Sequence, residues 1–170
     1  MKEEVLFSET QRFKQWWLWI ILVGVSAVMF YSFFKQLVHG EPQGKQPMSD
    51  GWLIISTAII ISVLGFVISM KLQTRITNNG IAVRFFPFHT TFKMYPWTAL
   101  NKVFVRQYNP IREYGGWGYR LGIFGHGRAL NVSGDNGLQL EFKTGKRLLI
   151  GTCRPEEIQQ MLQQLGQVKM

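Results

Sequence analysis

Residues Trp16–Phe34 read "WWLWIILVGVSAVMFYSFF", nineteen consecutive residues without a charge. At a rise of 1.5 Å per residue such a run spans about 28 Å as a helix, close to the roughly 30 Å of bilayer hydrocarbon. A second run, Trp52–Met70, "WLIISTAIIISVLGFVISM", has the same length and the same lack of charge. A core helix of a small soluble domain shows one apolar stripe, not an apolar surface all round. The sequence therefore predicts two transmembrane helices, over about residues 16–34 and 52–70. Trp16, Trp17, Trp19 and Trp52 stand at their starts, where indoles favour the headgroup layer, and Lys35 and Lys71 close them. The leading segment mixes Lys2, Arg12 and Lys14 with Glu3, Glu4 and Glu9, and no small-residue cleavage site follows. The first run thus reads as a retained anchor.

Basic residues near the helix ends set the expected orientation. Lys2, Arg12 and Lys14 precede the first helix, and Lys71 and Arg75 follow the second; the connector holds only Lys35 and Lys45. Both termini are expected in the cytoplasm and the short connector outside, in an inner membrane. Ala58, Ser62, Gly65 and Ser69 recur every three or four residues along the second helix. They form a small-residue stripe, expected to serve helix packing, with Gly24 and Ala27 facing it from the first helix. Neither helix holds an ionisable residue, which argues against an ion path.

The net charge of +9 lies entirely from Lys71 onward, where fourteen basic residues face five acidic ones. There the apolar period changes to two. "GIAVRFF" (80–86) and "GLQLEFK" (137–143) alternate, and "NKVFVRQY", "RALNVS" and "KRLLIGT" are rich in β-branched and aromatic residues. "NNG" (78–80), "DNG" (135–137) and "KTGK" (143–146) supply short hairpin turns. The spacing predicts about seven antiparallel strands. A helix over about 155–168 follows, with Pro155 at its first position and Glu156 and Glu157 in its first turn. Ile158, Met161, Leu162 and Leu165 form one apolar stripe that would cap a curled sheet. The division expected is 1–73, an N-terminal segment with the membrane hairpin, and 74–170, the β domain.

That order, a strand meander closed by one C-terminal helix, resembles the pleckstrin-homology-like (PH-like) fold. The blocks "YGGWG", "NVSG" and "IGTCRPEE" resemble those of bacterial membrane proteins of unassigned function. These join one or two N-terminal transmembrane helices to a PH-like domain. The resemblance spans roughly Thr74 to Leu165 and implies a fold class: a membrane α-hairpin followed by an α+β PH-like domain, its strands curled into a partly open barrel. It implies a location but no activity. Eukaryotic PH domains often hold inositol phosphates with basic residues around the first hairpin. In "RITNNGIAVRF" only Arg75 and Arg84 flank the turn, so that cluster is missing.

The glycine-rich stretch Pro110–Gly127, "PIREYGGWGYRLGIFGHG", raises a phosphate cradle as one reading. Gly116 and Gly118 give G-x-G, but Leu121 stands where the third glycine belongs, and "YRLGIF" reads as strand where a helix should start. The stretch is read as a bent connection between strands. Its rim carries Arg112, Tyr114, Trp117, Arg120 and His126, which are the candidate binding residues because Trp and Arg favour interfaces. Cys153 is the only cysteine, which excludes an internal disulfide and a CxxC metal site; His39, His89 and His126 lack ligand spacing. Ser133, His126 and Asp135 are the nearest approach to a hydrolytic triad, without a pattern that brings them to one point. Neither metal nor cofactor is expected, nor a nucleic-acid partner. The function expected is a membrane-anchored binding module, adaptor or scaffold without catalysis. Its partners would be the bilayer, anionic lipid headgroups, and a protein or a second copy of itself. A structural subunit of a larger membrane complex is the alternative, and a hydrolase using Ser133 and His126 the remote one.

Overall fold

A computed structural model describes residues 4–41, 48–122 and 125–166. The chain forms two compact units, Lys14–Ser69 and a β unit made of Met1–Phe13 with Met70–Met170.

In the first unit, α1 (Trp16–Phe33) ends in a wide turn, Phe34–Val38, and α2 is Asp50–Ser69. Both helices are long and apolar enough to cross a membrane. They pair along Leu53 and Thr57, the buried positions of α2, with Ser26 buried on α1. Ser26 and Thr57 satisfy their hydroxyls within their own helices, on the carbonyls of Leu22 (2.6 Å) and Leu53 (2.8 Å). The expected packing stripe falls elsewhere. Ala58, Ser62 and Gly65 are exposed, and a Cβ added at Gly65 or Gly24 would meet nothing within 4 Å. The α1 contact uses a different face of α2, with Leu53 and Thr57 at its buried centre.

The β unit contains nine strands among the described residues, in two sheets. β1 (Val5–Arg12), β2 (Lys71–Thr77), β3 (Gly80–Phe86) and β4 (Lys93–Pro96) form an antiparallel sheet in that order. β5 (Leu100–Gln107), β6 (Gly118–Leu121), β7 (Arg128–Asn131), β8 (Asn136–Phe142) and β9 (Arg147–Gly151) form the second, in the order β5-β8-β9-β7-β6. The expected seven-stranded, partly open barrel is replaced by these two sheets, which do not close into a barrel. The all-antiparallel expectation also fails at one pair, because β7 runs parallel to β9. "DNG" is accordingly no hairpin turn: it leads from β7 into β8, and β9 lies between those strands. "NNG" and "KTGK" do turn hairpins, β2–β3 and β8–β9.

Strand alternation builds the core. Leu72 and Ile76 of β2, with Ile81, Val83 and Phe85 of β3, face Val103, Leu138, Leu140 and Ile150 of the second sheet. α4 (Pro155–Gln164) adds Ile158 and Leu162, the expected stripe. Leu165 packs on the same core just past the helix, and the last part of the expected 155–168 span lies outside the described residues.

β1 is absent from the sequence reading, which left residues 1–13 with the hairpin. Its register with β2 runs from Val5↔Thr77 to Arg12↔Lys71, so the hairpin is inserted between two paired strands. Its alternation is not apolar, because two of its inward positions are polar, Glu9 and Gln11 beside Phe7, and all three are buried. The carboxylate of Glu9 accepts from Thr152 Oγ1 (2.7 Å) and from the Cys153 N–H (2.9 Å), and Gln11 Nε2 donates to the Gly151 carbonyl (2.7 Å). These bonds stitch the first sheet to the end of β9 and the approach to α4.

Candidate functional site

Asn109-Pro110 starts a short helix, α3 (Pro110–Tyr114), inside the stretch expected to be only a bend. Asn109 Oδ1 accepts from the N–H groups of Ile111 (3.1 Å) and Arg112 (3.0 Å), and Glu113 Oε1 accepts from the Asn109 N–H (2.8 Å). This reciprocal cap, with proline at the first helical position, pins the turn. Gly115, at φ 69°, ends it in the left-handed conformation that disfavours a side chain.

The candidate binding residues do not form one rim. Tyr114 is buried at 2 % exposure, packed edge-on against Tyr108 with Ala129 and Leu149. Trp117 spends its indole N–H on the Gly134 carbonyl (3.0 Å), and Arg120 Nε donates to the Trp117 carbonyl (3.0 Å). Arg112 is exposed on α3. His126 sits instead beside Glu113, Nδ1 to Oε2 3.8 Å. The hydrolytic trio is not assembled either. Ser133 Oγ contacts Cys153 Sγ (3.5 Å), Asp135 accepts from Gln107 (2.6 Å), and His126 faces Glu113. No cluster of metal-ligating side chains occurs among the described residues.

The structure brings together a different group. Arg106 of β5 reaches Glu113 (2.7 Å), Gln139 (3.0 Å) and the Tyr114 hydroxyl (3.2 Å) in a polar recess of about 290 Å³. Arg147 and Glu141 pair on the same recess at 3.3 Å. Burial by itself would raise the Glu113 carboxyl. The hydrogen bonds from Arg106 and the Asn109 N–H, with the charges of Arg106 and His126, outweigh it and hold the group below its ordinary range. Because the folded value lies below the unfolded one, the stability this supplies is present above the ordinary carboxylate pKa. It is lost as pH falls through the folded value. Glu113→Gln is expected to melt below the wild-type chain at about pH 6, with the gap narrowing as the pH falls below the ordinary carboxylate range, as followed by thermal denaturation in detergent. Deeper in, burial pushes the Tyr108 hydroxyl up to about 12 against the hydrogen bond from Asn131 (2.9 Å). The recess is a self-satisfied structural network: its cations are matched to its own carboxylates.

Two basic features carry more cations than their own carboxylates match. The outer face of the four-stranded sheet carries Arg12, Lys71, Arg75 and Arg84 on the side opposite the core. Phe92 lies under the guanidinium groups of Arg75 (4.3 Å) and Arg84 (4.9 Å), and Phe86 under Lys71 (5.6 Å). Phe88, in the loop between them, turns the other way and stacks on Phe85 (5.5 Å) and Tyr119 (5.7 Å). The chain has no Asp or Glu between Asp50 and Glu113, and Glu9 of β1 points to the core, so no carboxylate is among the described strand residues of this face. The second feature is a cleft of about 630 Å³ between β4, the β6–β7 pair and the β8–β9 hairpin. Sequence reasoning missed both because each is assembled across strands; the acid-free span was the one signal available for the first.

No curated protein matches the chain. The model of DUF6141, a family of unknown function, matches residues 2–166, and the chain belongs to that family.

Proposed function

We propose that the protein is a non-catalytic binding module with a PH-like β unit, held at the cytoplasmic face of an inner membrane by its helical hairpin. The bound partner is an anionic leaflet, met by the outer face of the four-stranded sheet. The observation that carries this reading is that face: four cations interleaved with Phe86 and Phe92, with no carboxylate among the strand residues sharing it. Chain connectivity favours the same occupant. The two chain crossings leave from Arg12 and Lys71, which are paired, and Lys71 lies two residues beyond the end of α2. Each Lys or Arg near an anionic surface contributes about 1 kcal/mol, and the half-buried Phe86 and Phe92 add apolar contact.

The test uses the full chain in lipid nanodiscs with a spin label at Thr91→Cys, in a Cys153→Ser background. Thr91 is exposed next to Phe92. Accessibility to a water-soluble relaxing agent is expected to fall when anionic lipid is added and to recover at high salt. With Arg75→Gln and Arg84→Gln together it should not fall. Equal accessibility in neutral and anionic discs would refute the lipid surface and leave a protein partner for this face. The structural-subunit reading draws on one observation, the exposed Ala58, Ser62 and Gly65 on α2, a face across which another helix can approach closely.

A further inference from the structure

We propose that the cleft beside β4 is a binding site for an anionic amphiphile, a molecule with an acidic head on an apolar body. Alternation along β4 first points to it. Tyr95 pairs with Ile81 and Lys93 with Val83, both inward-facing partners, whereas Met94 pairs with Ala82 on the outer face. Lys93 thus holds an inward position that is normally apolar, at the sheet edge where the cleft opens. The site is on the opposite side of β4 from the basic outer face, so it stands or falls apart from the surface reading above.

The walls divide by chemistry. Tyr95 and Phe142 meet edge to face at 5.4 Å and, with Leu121 and Leu148, make the apolar part. Leu121 is 70 % exposed at the cleft, a large apolar side chain left in water. Lys93, Arg128, Lys146 and Arg147 supply the cations, and no carboxylate lines the cleft among the described residues. Of the four, Arg147 has an ion pair, with Glu141, which lines the neighbouring recess. Burial and the neighbouring Tyr119 raise the Tyr95 hydroxyl against the pull of Arg128, so it remains a neutral donor near physiological pH. A bare inorganic anion would leave the aromatic wall unused. A neutral lipid would crowd the cations without answering their charge. An anionic head with an apolar body uses both, and the volume falls in the range of small-molecule sites, roughly 300–1,000 Å³. The head can come from a membrane lipid or from a soluble organic acid or phosphate; the chemistry is shared.

The experiment titrates octyl phosphate by calorimetry into the full chain in zwitterionic nanodiscs, with empty discs as the blank. Inorganic phosphate and octanol are run alongside. Octyl phosphate is expected to saturate one site, at least about tenfold tighter than either fragment alone. Arg128→Gln with Lys146→Gln should weaken it about tenfold, and more at low salt than at high. Leu121→Trp, a change at an exposed position that puts a larger ring into the cleft, should weaken it with the melting temperature unchanged. No saturable binding above the blank overturns the proposal. So does affinity equal to that of inorganic phosphate, or indifference to both sets of variants. Doping the discs with phosphatidic acid identifies the source within the class. Displacement of octyl phosphate assigns a bilayer lipid, and undiminished binding assigns a soluble ligand.

Discussion

A chain beginning at Thr74 is expected not to fold. Without residues 4–12, β2 becomes an edge strand whose outer backbone groups lose their partners, and Phe7, at 5 % exposure, leaves the core. The Thr152 hydroxyl and the Cys153 N–H lose Glu9, and the Gly151 carbonyl loses Gln11. Starting at Thr74 also removes Leu72, which is fully buried. Losing a buried Phe and a buried Leu costs about 3 kcal/mol each, and two buried side-chain clamps about 1–3 kcal/mol each. The sum, about 8–12 kcal/mol, is of the same size as the about 5–15 kcal/mol by which whole domains are stable. Thr74–Met170 should therefore show no cooperative urea transition by far-ultraviolet circular dichroism. Joining Met1–Phe13 to Met70–Met170 through a short glycine-serine linker should restore it, because Arg12 and Lys71 are already neighbours in register. A cooperative transition in Thr74–Met170 alone would show that β1 is an accessory strand.

What could be read in the sequence followed from how strongly each element repeats its own pattern. The two uncharged runs and the Ile158–Leu165 stripe are each contained in one segment, and each appears where expected. "NNG" and "KTGK" carry their turn chemistry within a few residues, and both form hairpins. β1 was hidden because its inward positions include Glu9 and Gln11, whose partners lie some 140 residues away. The parallel β7–β9 pair was hidden for a related reason: strand composition gives no direction, and β7 finds its neighbour only after β8 has been laid down. The candidate site was the least legible part. Tyr114 and Trp117 looked like surface aromatics because glycines surround them, yet one is core and the other is held by Gly134. Arg106, Glu113 and Gln139 come from three separate segments, and nothing in their own neighbourhoods marks them as partners. The two basic surfaces need the pairing register before their cations can be assigned to a side.

The turn at Asn78–Gly80 is where one added methyl group should do the most damage. Gly80 pairs with Pro96 across β3 and β4, and its φ of 157° is one that side chains rarely adopt. A Cβ placed there would lie 2.3 Å from the Tyr95 carbonyl oxygen and 2.8 Å from the Pro96 Cα, both rigid backbone. The clash can be relieved only by moving β4 away. The surroundings resist that movement: the Trp97 indole donates to the Thr77 carbonyl (3.2 Å), the Trp97 N–H to the Asn79 carbonyl (3.3 Å), and Thr77 Oγ1 to the Gly80 carbonyl (3.1 Å). Tyr95, carried by the same strand, would lose its edge contact with Phe142 and alter the wall of the cleft. Overpacking of this kind costs about 3 kcal/mol, a drop of about 10–15 °C for a unit of this size. Gly80→Ala is expected to show that drop in the detergent-solubilised full chain, while Asn79→Ala, exposed in the same turn, changes it by a few degrees at most. Octyl phosphate affinity should fall together with stability in Gly80→Ala, because the residue that blocks β4 also sets the position of Tyr95 and Lys93. A melting temperature within a few degrees of wild type would mean that β4 yields freely, and the edge of the first sheet would then have to be regarded as adaptable, not fixed.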